Sequence, residues 1–221
     1  GTVMEDCRVL EACREGKYTS VLVQTHDKKY VEYRTEHFVN ALGSGAGKLC
    51  DSMGIDAGLY PVRHQAFITR RLPMLGKHGT NLDMLIDRQD YKGFSAVYGQ
   101  QIAYTGQIIG CASPKLDAMR IDKNLKVNTK AFLEIVSEMF SEWIPDLAGV
   151  GIQAVWAGYY TEPRYIVDPE LGLFVGMRGH GFMLSQYIAR MYVDKLLGRP
   201  VPGYFEKLKL NGPGLSEKAF K

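Results

Sequence analysis

The sequence has no apolar run of the ~18 residues needed to cross a bilayer. The longest candidate, Leu147 to Tyr160, is short and is interrupted by Gln153. It has little cysteine: Cys7, Cys13, Cys50 and Cys111 are its only four, and none has the close spacing of a zinc knuckle. The histidines form no HExxH, so no metal site is expected. Scattered thiols over this length read as free cysteines, with a reducing cytoplasm as the expected compartment. There is little excess charge: 27 basic against 24 acidic side chains leave +3, too mild a balance to argue for nucleic acid or an anionic membrane. The chain opens on Gly1 with no basic, then apolar, then small-residue leader, so a processed or excised N-terminus is expected. A complete nucleotide fingerprint is also missing. Leu42-Gly43-Ser44-Gly45-Ala46-Gly47-Lys48-Leu49 has Leu at both the first and last positions of a P-loop, so the hydroxyl that would bind magnesium is absent. The same stretch fails GxGxxG because Lys48 stands at the third glycine. It reads either as a tight strand-to-helix turn or as a loop touching a cofactor.

What is present is an ordinary globular composition, 46% hydrophobic and 23% charged over 221 residues. Residues 4–15 have the apolar spacing of a short helix. Strands are expected over Tyr18–Thr25 and Lys29–Arg34 as a hairpin, over His37–Leu42 as a buried strand, and over Leu59–Arg71. Three more β segments follow at Leu82–Arg88, Gly93–Tyr98 and Ile102–Cys111, then a polar connection over Lys115–Asn128. Phe132, Ile135, Val136, Met139, Phe140 and Trp143 recur at three-and-four spacing, which predicts a helix over Thr129–Trp143 with an apolar core stripe. Short strands are expected at Gln153–Tyr159 and Leu173–Gly176, and a second strong helix over Gly181–Leu197, stopped by Gly198 and Pro200. The tail beyond Pro202 reads as surface-draped or mobile. Long β stretches without helical crossovers point to an antiparallel or mixed sheet covered by helices.

Gly176-Met177-Arg178-Gly179-His180-Gly181-Phe182 joins a strand to the start of the second helix. Its glycines permit close backbone approach, and the unbonded N–H groups of a helical first turn favour a partial negative charge. Phosphate and the electron-rich edge of a flavin ring both satisfy that description, as does a plain turn with a surface histidine.

The stretch from Leu173 through Gly179-His180-Gly181-Phe182-Met183-Leu184, followed by a helix, resembles the C-terminal signature of the FAD-dependent amine and amino-acid oxidoreductases, the group of D-amino acid oxidase, glycine oxidase and sarcosine oxidase. Phe38-Val39-Asn40-Ala41-Leu42-Gly43 resembles the "VNAAG" segment of that family. Tyr60-Pro61-Val62-Arg63-His64-Gln65 resembles its "P-x-R-G-Q" strand, with His64 where Gly is usual. Trp156-Ala157-Gly158 and Thr161-Glu162-Pro163-Arg164 resemble its "W-x-G … T-P-D" stretch, with Glu and Pro in altered positions. The match spans roughly residues 20–200. The family opens with a Rossmann-type strand and GxGxxG that hold the ADP part of FAD, and this sequence has neither.

The resemblance implies an α+β fold: a mixed, largely antiparallel substrate-binding sheet with covering helices, plus the C-terminal strand–helix part of a Rossmann-like FAD-binding domain. It divides the chain into residues 1–58 (part of the FAD-binding domain), 59–150 (substrate sheet), 151–200 (return to the FAD-binding domain) and 201–221 (tail). It implies part of an FAD-dependent oxidoreductase that oxidises an amine or amino acid by hydride transfer to flavin. A second polypeptide or segment would carry the GxGxxG site, so an assembly is expected in place of a lone monomer. Gly43, Arg178, Gly179, His180, Gly181, Phe182 and Met183 are the implied cofactor contacts. Arg164 is the implied partner of a substrate carboxylate, with an ordinary surface arginine as the alternative. Tyr98 (with Tyr91 as a second hydroxyl) and His64 are the implied groups near substrate and flavin. A non-catalytic binding or scaffold domain that kept the fold after losing the FAD half is the competing reading.

Overall fold

A computed structural model describes residues 1–76, 81–91, 94–114, 125 and 129–214. The chain divides into two compact units, one of Gly1–Tyr60 with Tyr160–Lys221 and the other of Pro61–Tyr159. The architecture is α+β, dominated by antiparallel sheets with few helices.

The Pro61–Tyr159 unit is built on a five-stranded sheet. Its strands are β4 (Tyr60–Thr69), β5 (Leu85–Tyr91), β6 (Phe94–Gln101), β7 (Ile108–Pro114) and β8 (Ile152–Glu162), in the order β5-β6-β7-β4-β8. Helix α2 (Thr129–Trp143) covers the sheet face that carries Phe67, Val97, Ile108 and Ala112, all buried. Phe67 sits edge-on to Phe140 with ring centroids 5.5 Å apart. It lies directly over Gly110, where a Cβ would stand 2.5 Å from its ring and 2.2 Å from the Tyr98 carbonyl oxygen. Glycine at 110 thus leaves the room that the Phe67 ring occupies. The expected strand Ile102–Cys111 starts later than the spacing suggests. Residues 102–107 form a tight turn, closed by Ile102 N–H to the Gln107 oxygen (2.7 Å), with Gly106 at φ +68°. The Lys115–Asn128 connection lies outside the described residues apart from Leu125.

The other unit begins with an antiparallel meander of β1 (Arg8–Glu15), β2 (Tyr18–Gln24) and β3 (Tyr30–Thr35). The helix expected over residues 4–15 is thus a strand. A two-residue turn with Gly16 at φ +63° folds it back so that Glu15 faces Tyr18, and this hairpin register overrides the helical reading of the apolar spacing. Helix α1 (Ala46–Ser52) packs Leu49 against Ala12, Val21 and Val23. The buried strand expected over His37–Leu42 reduces to one parallel bridge, Asn40 to Leu173. The Asn40 side chain donates to the Ala46 carbonyl (3.0 Å) and accepts from the Leu42 N–H (3.3 Å), which bends the chain away after a single pair. Strands β9 (Ile166–Asp168) and β10 (Leu173–Val175) form a short hairpin, and helix α3 (Gly181–Leu196) packs Ile188, Met191 and Tyr192 beside Tyr165 and Val167. The tail is not draped on the surface as far as Gly214. Phe205 and Leu208 are buried in that same cluster, because a 3-10 turn over Gly203–Leu208 aims both inward.

Candidate functional site

Two groups of the sequence-chosen residues come together, one in each unit. In the Gly1–Tyr60/Tyr160–Lys221 unit, β10 runs into Gly176, a turn over Met177–His180, and then α3. Gly176 has φ +71°, and a Cβ there would lie 1.9 Å from the Arg164 carbonyl oxygen, so only glycine fits. Arg178 also has a left-handed backbone, φ +49°, which costs an L side chain about 1–2 kcal/mol. A Cβ on Gly179 would come within 2.7 Å of the Tyr160 ring, and one on Gly181 within 2.8 Å of Met177. His180 is exposed and its Nδ1 shares a 2.7 Å hydrogen bond with the Tyr165 hydroxyl. Helix α3 has no side-chain cap and no acidic residue in its first turn, so its positive end is presented without a carboxylate. Phe182 and Met183, on that first turn, are 98% and 67% exposed.

Gly43 has φ +55°, and nothing lies within 4 Å of where a Cβ would stand, so backbone shape and not crowding selects glycine there. Arg164 is occupied elsewhere in its unit. Its Nη1 donates to the Gly212 carbonyl at 2.8 Å and its Nη2 to that of Leu210, which ties the last described residues to the end of β8.

In the Pro61–Tyr159 unit, Ala66 of β4 pairs with Cys111 of β7, and Cys111 pairs with Tyr98 of β6. Strand alternation puts His64, two residues before Ala66, on the same face as Cys111 and Tyr98, opposite the face that α2 covers. Burial lowers the His64 pKa to about 4, so its imidazole is neutral near pH 7. Burial pushes the Cys111 thiol up, against a smaller opposing effect of its hydrogen bond with Tyr98. The Tyr91 side chain lies outside the described part of the molecule. Among the described residues no group of three His, Cys, Asp or Glu could hold a metal ion, and no helix is long and apolar enough to cross a membrane.

One residue at the turn was not singled out by its sequence. Glu162 accepts from Arg178 Nε at 2.6 Å, with side chains only 16% and 23% exposed. Its only advance signal was its unusual place in Thr161-Glu162-Pro163-Arg164.

The residues of the turn suit the isoalloxazine end of FAD. Gly179 and Gly181 are glycines because Tyr160 and Met177 pack against them, and the uncapped start of α3 that they lead into favours an electron-rich partner such as the ring edge. The residues that would hold its ADP part, a strand followed by GxGxxG, do not occur in the sequence.

Comparison with known proteins gives the family and the fold. No curated protein matches the sequence. Among solved structures, glycine oxidase from Geobacillus kaustophilus superposes with a TM-score of 0.67 at 18% identity, covering 93% of this chain and 52% of that one. L-proline dehydrogenase from P. horikoshii gives 0.66 at 25% identity, covering 92% and 53%. Iminodiacetate oxidase from Chelativorans sp. BNC1 gives 0.65 at 14% identity, covering 95% and 53%. The chain thus spans about half the length of these relatives. The family model described as FAD dependent oxidoreductase (DAO) matches residues 1–195, and with the glycine turn and the antiparallel sheet already in place, the chain belongs to that FAD-dependent family.

Proposed function

We propose that this chain is the substrate-sheet and closing-helix portion of an oxidoreductase that removes a hydride from the carbon bearing an amine, in an amine or amino-acid substrate. The observation that carries the reading is the uncapped start of α3, reached through the close-packed Gly176–Gly181 turn, within a chain that belongs to an FAD-dependent family. FAD, when bound, supplies the hydride acceptor. The chain's own part is positional. The amides from Gly179 to Met183, in the turn and the first residues of α3, would hold the electron-rich edge of the ring. Gly43 provides a second glycine approach. His64 and Tyr98 belong to the sheet face that receives the substrate, and a neutral His64 leaves its own position without a cation at neutral pH. The guanidinium of Arg164 is engaged with the 210–212 backbone, so we assign it to holding that segment and assign carboxylate recognition to another group. The 25% identity to an L-proline dehydrogenase supports amino acids as the first substrates to test.

The nucleotide half is supplied by a second polypeptide or by a further segment of the same protein, and two surface features support this. Helix α3 carries a second apolar stripe, Phe182, Ala189, Val193 and Leu196/Leu197, at helical spacing on the side away from its buried face. The Asn40 bridge uses one edge of its segment, while Val39 beside it is 44% exposed. An apolar stripe next to an open β edge is what a further strand–helix layer would cover. The free thiols at Cys7, Cys13, Cys50 and Cys111 support a reducing cytoplasm.

The test is anaerobic. The assembled protein is mixed with a panel of amino acids and amines, and the visible absorbance of the oxidised flavin is followed. Bleaching by at least one of them, with release of the corresponding imine product, is expected. A flavin-loaded assembly that no amine reduces would overturn the reading.

A further inference from the structure

Arg178 occupies a position that glycine would occupy without strain, and glycines stand close by at 176 and 179. A left-handed backbone kept at an arginine indicates that the side chain is needed there. The stretch leaving β8 holds the turn residue by residue. Tyr160 lies against Gly179, Glu162 pairs with Arg178, and Tyr165 bonds His180. Of these three, only the Glu162–Arg178 contact is an ion pair, and it is mostly shielded from solvent. Shielding lengthens the reach of any uncompensated charge, so the state of this pair matters to whatever the turn faces.

We propose that Glu162 is a positioning residue acting through Arg178: it fixes the left-handed turn and cancels the guanidinium charge, so that a flavin at this turn meets the helix start and not a full cation. The inference rests on the flavin assignment made above. It also accounts for the altered Thr-Glu-Pro-Arg order, which puts a carboxylate within reach of Arg178.

Opposed isosteric changes separate charge from architecture. In the full flavin-loaded protein, Glu162→Gln removes a negative charge beside Arg178 and should favour reduced over oxidised flavin about tenfold, about 30 mV upward for a two-electron couple. Arg178→Gln removes a positive charge beside Glu162 and should shift the couple by a similar amount the other way. The double variant Glu162→Gln/Arg178→Gln should return close to the parent. Single variants that move the potential in the same direction, or not at all, would overturn the proposal. A second measurement needs no flavin. Amide hydrogen exchange over Met177–His180 should quicken about tenfold in Glu162→Gln, and unchanged protection there would overturn the clamp. If the assembled protein holds no flavin, the functional reading has failed, and the exchange experiment alone decides the clamp.

Discussion

Helices α2 and α3 have nearly the same length, 15 and 16 residues, but they bury themselves differently. The apolar residues of α2 form one stripe, with Phe132, Ile135, Val136, Met139 and Phe140 all at most 4% exposed. Its other side carries Lys130, Glu134, Glu138 and Ser141. Such a helix is finished: sheet on one side, water on the other. Helix α3 buries Ile188, Met191 and Tyr192, and yet holds Phe182 and Val193 out at 98% and 47% exposure, and Leu197, just past its end, is 57% exposed. A helix apolar on two sides is suited to a middle layer. The Pro61–Tyr159 unit therefore has a closed core of its own, while the other unit leaves apolar side chains of α3 exposed.

The sharpest way to break this comparison is to open the closed core. Phe67→Ala removes the ring that lies on Gly110 and meets Phe132 and Phe140, and should cost about 3–5 kcal/mol. Urea unfolding measures it, and a loss below about 1 kcal/mol would mean that this core is not close-packed. Next in size is Arg164→Leu. Losing two charge-assisted bonds to the Leu210 and Gly212 carbonyls should destabilise the protein by about 2–4 kcal/mol and release the 205–212 segment to proteolysis. Discrimination between carboxylated and neutral amines should stay unchanged. A selective loss for carboxylated substrates, with stability intact, would return Arg164 to a substrate role.

Phe182→Ser sharpens the other side of the comparison. At 98% exposure the ring contributes little to the stability of this chain alone, so the melting temperature should barely move. Association with the nucleotide half should weaken by about 1.5–3 kcal/mol, the value of burying such a side chain. Equal affinity of parent and variant in a titration by calorimetry would show that the α3 stripe is not a contact surface.

The smallest effect is one of pH. His64 in the fold has its pKa lowered to about 4 from 6.5, because burial disfavours the imidazolium. Between those values the unfolded chain binds a proton that the folded chain does not, so stability is fully present above about pH 6.5 and falls as pH drops toward 4. One proton limits the slope to about 1.4 kcal/mol per pH unit. His64→Gln should flatten that part of the profile, and an identical profile would place the acid sensitivity elsewhere.

Much of this was legible along the chain. Three-and-four spacing locates α2 from Thr129 to Trp143, and Gly198 and Pro200 locate the end of α3. The glycine turn could be read because three glycines so close together mark a chain that is sharply bent or closely packed, here by the positive φ of Gly176 and by Tyr160 and Met177 against Gly179 and Gly181. The parts that could not be read depend on distant partners. β9 is three buried residues, too short for alternation to show. The role of Arg164 depends on carbonyls 46 and 48 positions further on. The Glu162–Arg178 pair joins residues 16 apart whose approach is set by the β8 exit and the Gly176 turn together.

The most direct test of the central claim is FAD binding by this chain alone and by the chain joined to its nucleotide-carrying half. The account predicts no FAD retained by the chain alone and one FAD per assembled unit after gel filtration. Stoichiometric, tight FAD on the isolated chain as a monomer would contradict it.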